Sequence, residues 1–206
     1  MKKISLLVVG GLALASLGSA QSTFTFKPKY KAGQTETYVI TTSMGGKGAA
    51  GSMNMSMTRK VLRIMKNGDM EMEVSTSAPN IGGNAMGKGS KMKITTDAYG
   101  QPKGGAASGM DFSATNAFPK RPIKIGEVIP FKTKTVQGET QGTIKLVSIA
   151  GGIARFALSS TIKQQSMSMK MNGTMIMTTN SVLKSMDADV TGGPMGPIHV
   201  RMELKS

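Results

Sequence analysis

Residues 52–76 read Ser52-Met53-Asn54-Met55-Ser56-Met57-Thr58-Arg59-Lys60-Val61-Leu62-Arg63-Ile64-Met65-Lys66-Asn67-Gly68-Asp69-Met70-Glu71-Met72-Glu73-Val74-Ser75-Thr76. Side chains alternate between the two faces of a strand. A strand over Ser52–Lys66 therefore puts Met53, Met55, Met57, Arg59, Val61, Arg63 and Met65 on one face. That face is apolar apart from two arginines, whose stems can pack while their heads seek polar partners. Asn67-Gly68 is a strong hairpin signal. The return strand, Asp69–Thr76, sets Met70, Met72 and Val74 against Glu71 and Glu73. The period is two, so this stretch reads as an antiparallel hairpin with one apolar face.

The same reading extends along the chain. Ala32-Gly33-Gln34 is a turn before a strand over Thr35–Ser43, and Gly45–Gly51 is a loop. Pro79–Gly89 is a second loop, followed by a strand over Lys91–Thr96 and a turn at Asp97-Ala98-Tyr99-Gly100. From Lys103 to Pro119 the periodicity fails. Gly104–Gly109 has the composition of a flexible linker, and Asp111–Ala117 is the one place a short helix is expected. Strands resume at Val128–Val136, Gly142–Ile149, Ala154–Met171, Thr174–Thr178, Leu183–Val190 and Ile198–Leu204. In the last of these Ile198, Val200, Met202 and Leu204 share a face, and His199, Arg201, Glu203 and Lys205 share the other.

The two halves echo each other. Ile125-Gly126-Glu127 repeats Ala32-Gly33-Gln34, and Lys145–Gly152 parallels Val61–Gly68. The expected fold is all-β: a large curved antiparallel sheet, half-barrel or sandwich, made of two related meanders with little helix. It forms a single domain over residues 21–206, with halves of about 21–102 and 119–206.

The first twenty residues have the form of a cleaved leader. Lys2 and Lys3 precede a short apolar run, Ile4–Leu17, and Gly18-Ser19-Ala20 supplies small residues for cleavage before Gln21. The run is too short and glycine-rich for a membrane span, and no later segment is apolar enough for one. The expected location is the periplasm or the extracellular space. The chain has no cysteine, so no disulfide supports the fold even in an oxidising compartment. With 26 Lys and Arg against 11 Asp and Glu the formal charge is +15. The basic residues are scattered and aromatics are few, which argues against nucleic acid as a partner. An anionic envelope surface fits better as a long-range partner, and lysines also keep sheet edges from pairing.

The phrases Ala32-Gly33-Gln34, Asn67-Gly68-Asp69, Asp97-Ala98-Tyr99-Gly100 and Pro122-Ile123-Lys124-Ile125-Gly126-Glu127 together resemble a bacterial family of exported domains of unknown function. That family's usual phrase has Asp and Trp where this chain has Glu127 and Ile129. The resemblance implies an exported β domain and carries no catalytic residues. More distantly, the pattern is similar to the LolA-like half-barrels of lipoprotein carriers, a likeness of fold that does not fix function.

The inventory disfavours catalysis. The single His199 lies on the expected polar face with only Glu203 near it in sequence. Glu71 with Glu73, and Asp187 with Asp189, are two-residue pairs that read as solvated strand faces. The glycine runs lack the strand–loop–helix setting of a phosphate cradle. There remain 19 methionines in a chain with no tryptophan. Met53, Met55, Met57, Met70, Met72, Met167, Met169 and Met171 make an adaptable apolar face, suited to a hydrophobic small molecule or lipid. With Val61, Ile64 and Ile176 they would line a concave cavity. The rival reading is a Cu(I) or Ag(I) site made by Met53, Met55, Met57, Met167, Met169 and Met171, since thioethers select soft ions. A third is a structural or protein-binding β domain, with the methionines as core. No resident cofactor is expected under the first or third reading.

Overall fold

The computed structural model describes residues 22–45, 51–103, 118–135, 138–164, 167–194 and 196–205. The leader and the short helix expected at Asp111–Ala117 lie outside these residues. The strands are β1 (Thr23–Phe24), β2 (Thr35–Met44), β3 (Gly51–Ile64), β4 (Met70–Thr76), β5 (Asn80–Ile81), β6 (Asn84–Ala85), β7 (Ser90–Thr96), β8 (Ile123–Lys124), β9 (Val128–Thr135), β10 (Gly138–Ala150), β11 (Ile153–Gln164), β12 (Met167–Thr178), β13 (Leu183–Thr191) and β14 (Ile198–Leu204). The fold is all-β, a large antiparallel sheet that does not close into a barrel. Its main path runs β7-β4-β3-β2-β14-β13-β12-β11-β10-β9, with β5 and β6 added beside the first part of β3. The two meanders join where β14 pairs with β2. Among the described residues no helix is long and apolar enough to cross a membrane.

Alternation sets the inner face. One row of Cα partners crosses seven strands: Leu146, Phe156, Met175, Met186, Met202, Ile40 and Met55. The next row toward the start of β3 is Ile144, Leu158, Gly173, Ala188, Val200, Thr42 and Met53. Buried apolar side chains lie on this face, in one large cluster around Phe156, a second around Tyr38 and Met202, and a third around Val61. The outer face carries the charges. Glu71 meets Arg63 at 2.6 Å and Glu73 meets Lys91 at 3.0 Å.

The internal repeat is expressed in hydrogen bonds. Gly33 N–H donates to the Val61 carbonyl at 2.8 Å, and Val61 N–H donates to the Gln34 carbonyl at 2.9 Å. In the second half Gly126 N–H donates to the Leu146 carbonyl at 2.7 Å, and Leu146 N–H to the Glu127 carbonyl at 3.2 Å. The side chains correspond too, since Gln34 accepts from Lys31 N–H and Glu127 from Lys124 N–H. Both glycines have positive φ, 81° and 85°, which an L residue adopts only at a cost. Val61 thus matches Leu146, one position on from the Lys145 that the sequence aligns with it.

Each half also bulges right after that residue. The register slips between Val61 and Arg63, and again between Leu146 and Ser148. A bulge inserts one residue and flips the parity beyond it. The expected single face from Met53 to Met65 therefore ends at Val61, and Arg63 turns outward to Glu71. Asn67-Gly68 forms a three-residue loop rather than a two-residue one: Gly68 N–H donates to the Met65 carbonyl, and Met65 N–H to the Asp69 carbonyl.

The expected strand Ala154–Met171 is instead two, β11 and β12, with Gln164 opposite Met167. Parity marks the break. Even positions such as Phe156 and Leu158 face inward in β11, and odd ones such as Met175 and Met177 in β12. Gly173, which resembles a turn glycine in sequence, sits in mid-strand. A Cβ there would lie 2.4 Å from the Asp187 carbonyl oxygen and 2.6 Å from the Ala188 Cβ. The concave side is compressed at this crossing, and only glycine fits.

Two predictions follow from this packing. Gly173→Val forces the strands apart and costs about 1–3 kcal/mol, seen as a fall in Tm of roughly 2–4 °C per kcal/mol. Gly51→Val, with open space around its Cβ position, leaves Tm near that of the wild type. The second concerns acid. Lys103 holds the Asp69 carboxyl below its ordinary value of 3.8, and Arg121 holds Glu127 below 4.5. Burial opposes ionisation of Asp97, but Lys120 and the N–H groups of Gln101 and Tyr99 outweigh it and lower its pKa as well. Depressed carboxylates stabilise the fold fully above their unfolded values and lose that contribution as pH falls through the folded ones. Urea midpoints should therefore be level near neutral pH and decline below about pH 4. Asp97→Asn flattens part of that decline.

Candidate functional site

The residues before β2 build the wall of the site. Phe24, Phe26 and Pro28 are buried while Thr25, Lys27 and Lys29 are exposed, so this extended stretch presents one apolar edge. Its start pairs with β8 through Thr23–Lys124 and Phe24–Ile123, and it runs across the concave face. Phe26 stacks on Phe118 at 4.7 Å between ring centroids, and Phe156 takes Phe24 and Phe118 edge-on at 5.0 and 5.1 Å. Such pairs add about 0.5–1.5 kcal/mol each beyond their buried area. The alternation Phe24-Thr25-Phe26-Lys27-Pro28-Lys29-Tyr30 is plain in the sequence, but the expectation there started the sheet at Thr35 and left this segment unread.

Ser181 clamps the segment. Its hydroxyl accepts from Lys27 N–H at 2.8 Å and reaches the Thr25 carbonyl at 3.4 Å. Ser181 has φ of 65° in the turn between β12 and β13. That strained position is held by Thr178, whose carbonyl accepts from Ser181 N–H.

Between this segment and the sheet lies a cavity of about 60 Å³. Six methionines wall it: Met57, Met72, Met175, Met177, Met186 and Met202. Phe26, Pro28, Tyr30, Tyr38 and Leu183 complete its apolar surface, and Arg59 is its charged member. The volume holds about two waters and is far below that of an ordinary ligand pocket.

From the cavity the same face continues into open space. Met57 is buried, Met55 and Met53 are half-buried, and Met44 is 40% exposed. On the far side Met175 and Met177 are buried, Met171 and Met169 half-buried, and Met167 36% exposed. Val190, Ile198 and Val200 span the floor between. Each methionine ladder thus runs from a solvent-facing end of the trough toward its closed end.

The ladders do not pair with each other. Three strands, β2, β14 and β13, separate β3 from β12, which is roughly 19 Å along the sheet. Met70 and Met72 are buried with Val61 in the third cluster, and Met72 also reaches the cavity. Ile64 is largely exposed, and Ile176 pairs with Arg155 and Ser185, with the opposite parity to Met175 and Met177.

One polar cluster on the inner face is absent from the sequence reading. Glu36 is buried, and its Oε2 accepts from Arg59 Nη2 at 2.6 Å and from the Tyr38 hydroxyl at 2.9 Å. The same Nη2 reaches the Tyr30 and Tyr38 hydroxyl oxygens at 2.8 and 3.2 Å. Burial pushes the Tyr30 and Tyr38 phenols upward; Arg59 opposes this and Glu36 adds to it. Burial works against the charge on Arg59, but Tyr30, Tyr38 and Glu36 outweigh it and raise its pKa. Arg59 Nε is buried and has no acceptor among the described residues. A buried donor left so costs about 1–3 kcal/mol. Glu36 shares the inward parity of Tyr38 and Ile40, which is the signal for this pair.

His199 also departs from expectation. It is 5% exposed rather than solvated, and carboxylates flank it across the β13–β14 pairing. Nδ1 lies 2.8 Å from Asp189 Oδ1 and Nε2 lies 3.6 Å from Asp187 Oδ2. Asp189 is its direct cross-strand partner, a relation the linear sequence hides. Among the described residues no group of three or more His, Cys, Asp or Glu is arranged to hold a metal ion.

No family model and no curated protein matches this chain. Among solved structures it is similar to a Bacteroides fragilis protein described as exported and having a YMCC-like fold. The identity is 11% and the TM-score 0.43, over 88% of this chain and 97% of that one.

The clamp gives a direct test of the wall. Ser181→Gly relieves the positive φ while removing the hydroxyl. Amide hydrogen exchange should then speed up at Lys27 and its neighbours, with little change in β10 and β11. Unchanged protection at Lys27 would show that the aromatic cluster alone holds the segment.

Proposed function

We propose that this chain is an exported, non-catalytic binding or carrier module for an elongated hydrophobic ligand, an acyl chain of lipid type, laid along the methionine-lined trough. The observation that carries this reading is the exposure gradient along the two ladders. A mostly apolar face leads from the solvent-facing Met44 and Met167, past the half-buried Met53 and Met169, to the six-methionine cavity at its closed end. Exposed contiguous apolar surface on a soluble domain marks a binding site. The cavity as it stands is too small for a chain, and methionine is the residue that can yield: unbranched and flexible, it repacks around varied apolar shapes.

The separation of the ladders favours this reading over a Cu(I) or Ag(I) site that draws on both, because a soft ion needs its sulfurs around one point. The leader-like residues 1–20 support export, and the outward-facing lysines suit an anionic envelope surface.

Native mass spectrometry of protein purified from its own envelope should show a bound mass of lipid size, lost on delipidation. With a fluorescent acyl probe, Met55→Glu and Met171→Glu should each weaken binding by about tenfold or more, or about 1.4 kcal/mol. Val128→Glu, at a site 51% exposed and of opposite parity to the buried Ile129, should leave it unchanged. A bare protein that takes up no probe would overturn the reading.

A further inference from the structure

Resting on that reading, we infer that the mouth of the trough is an oxidation site: a peroxide converts Met44 and Met167 to sulfoxides, which weakens the hold on a hydrophobic ligand and leaves the fold intact. The chain has no cysteine, so thioether sulfur is the only sulfur an oxidant meets. Access to it is graded by position. Met44 and Met167 are exposed, Met53 and Met169 are half-buried, and Met57, Met175 and Met202 are buried. Oxidation of sulfur side chains follows exposure. A peroxide therefore reaches the mouth first and the core last.

The step is an oxygen-atom transfer. The sulfur lone pair attacks one peroxide oxygen, the O–O bond breaks and an S–O bond forms. Sulfur is oxidised and the peroxide reduced, and the departing hydroxide takes the proton of the transferred OH group and leaves as water. A flexible apolar group becomes a polar, chiral one. At Met44 the consequence is direct. This residue continues the inward parity of Tyr38, Ile40 and Thr42, and its cross-strand partners are Ile198 and Gly51. Neither offers a side-chain hydrogen-bond donor. A sulfoxide oxygen there is hydrated while the trough is empty. An acyl chain laid over it strips that water and supplies no donor, which weakens binding. Met167 stands in the same relation to the second ladder, which continues inward through Met169 and Met171.

Position separates this change from general damage. The buried methionines keep the closed end packed at a dose that alters the mouth. On the floor between the ladders Val190 and Ile198 carry no sulfur, so the sensitivity lies along the two sides of the trough. Met86 is more exposed than either mouth residue and is converted in the same interval, so its effect has to be separated from theirs.

The test exposes delipidated protein to hydrogen peroxide for graded times and follows each methionine by peptide mass spectrometry. Met44 and Met167 should convert before Met53 and Met169, and those before Met57, Met175 and Met202. Once the mouth is converted and the core is not, Tm should stay near that of untreated protein, and a fluorescent acyl probe should bind about tenfold more weakly. The double variant Met44→Leu with Met167→Leu keeps an apolar mouth of similar volume and every other methionine, Met86 included. It should bind the probe as the wild type does and keep that affinity after the same exposure to peroxide. Core methionines that convert as fast as the mouth, undiminished binding by the oxidised wild type, or an equal loss in the leucine variant would each overturn the oxidation site while leaving the trough as a binding site. Failure of the untreated wild type to take up the probe would overturn the hydrophobic-ligand reading itself, and this inference with it.

Discussion

A sheet bent into an open trough has an apolar inside that nothing in the sheet can cover. Two stacked sheets would cover each other, and a closed barrel would fill its own centre. Here the ten-strand path stops short of closure, so the extended stretch from Phe24 to Tyr30 lies across the concave face instead. The rest of the architecture depends on that strap. Phe24 and Phe26 pack with Phe118 and Phe156, Ser181 fixes its backbone, and Tyr30 brings its hydroxyl to Arg59. Where the strap passes the face is a core, and where it does not pass the face is a groove.

The chain's own alternation made most of this legible. Strand content, the hairpin after Met65, the turn at Asp97 and the last strand all follow from period-two patterning and turn chemistry, which are local. What local patterning misses is parity over distance. The bulges after Val61 and Leu146 reverse inside and outside by one residue, and no residue type announces them. Gly173 reads as a turn because glycine usually marks one, and only the neighbouring strand shows that it is a point of compression. The strap was legible in principle, since Phe24, Phe26 and Pro28 alternate with Thr25, Lys27 and Lys29. It escapes a strand reading because it pairs for only two residues and belongs to no long strand. Pairings across strands, Glu36 with Arg59 and Asp189 with His199, require the register and lie beyond any one-dimensional reading.

The methionines serve two physical conditions on one surface. Toward the closed end Met175, Met177 and Met202 are as buried as any aromatic and behave as core. Toward the open end Met44 and Met167 face solvent. Branched residues would pack the core end more rigidly, but they would fix the shape of the groove as well. A single soft residue type used throughout lets the boundary between core and groove shift without a change of chemistry. The ion pair beneath it has the opposite character. Glu36, Arg59 and the two tyrosines form a directional and largely buried network, which fixes the floor on which the soft wall moves.

The seam between β2 and β14 bears on how the molecule is made. These two strands lie side by side in the middle of the sheet, yet Tyr38 pairs with Leu204 across most of the chain's length. During synthesis β2 emerges well before β14 and waits with one edge unpaired until β14 arrives. Contacts so distant in sequence slow folding, and an unpaired central strand is the part of a nascent sheet most open to pairing with something else. The first meander thus remains half-finished until the second has been made. The step that joins the two halves is therefore placed after both meanders have been made.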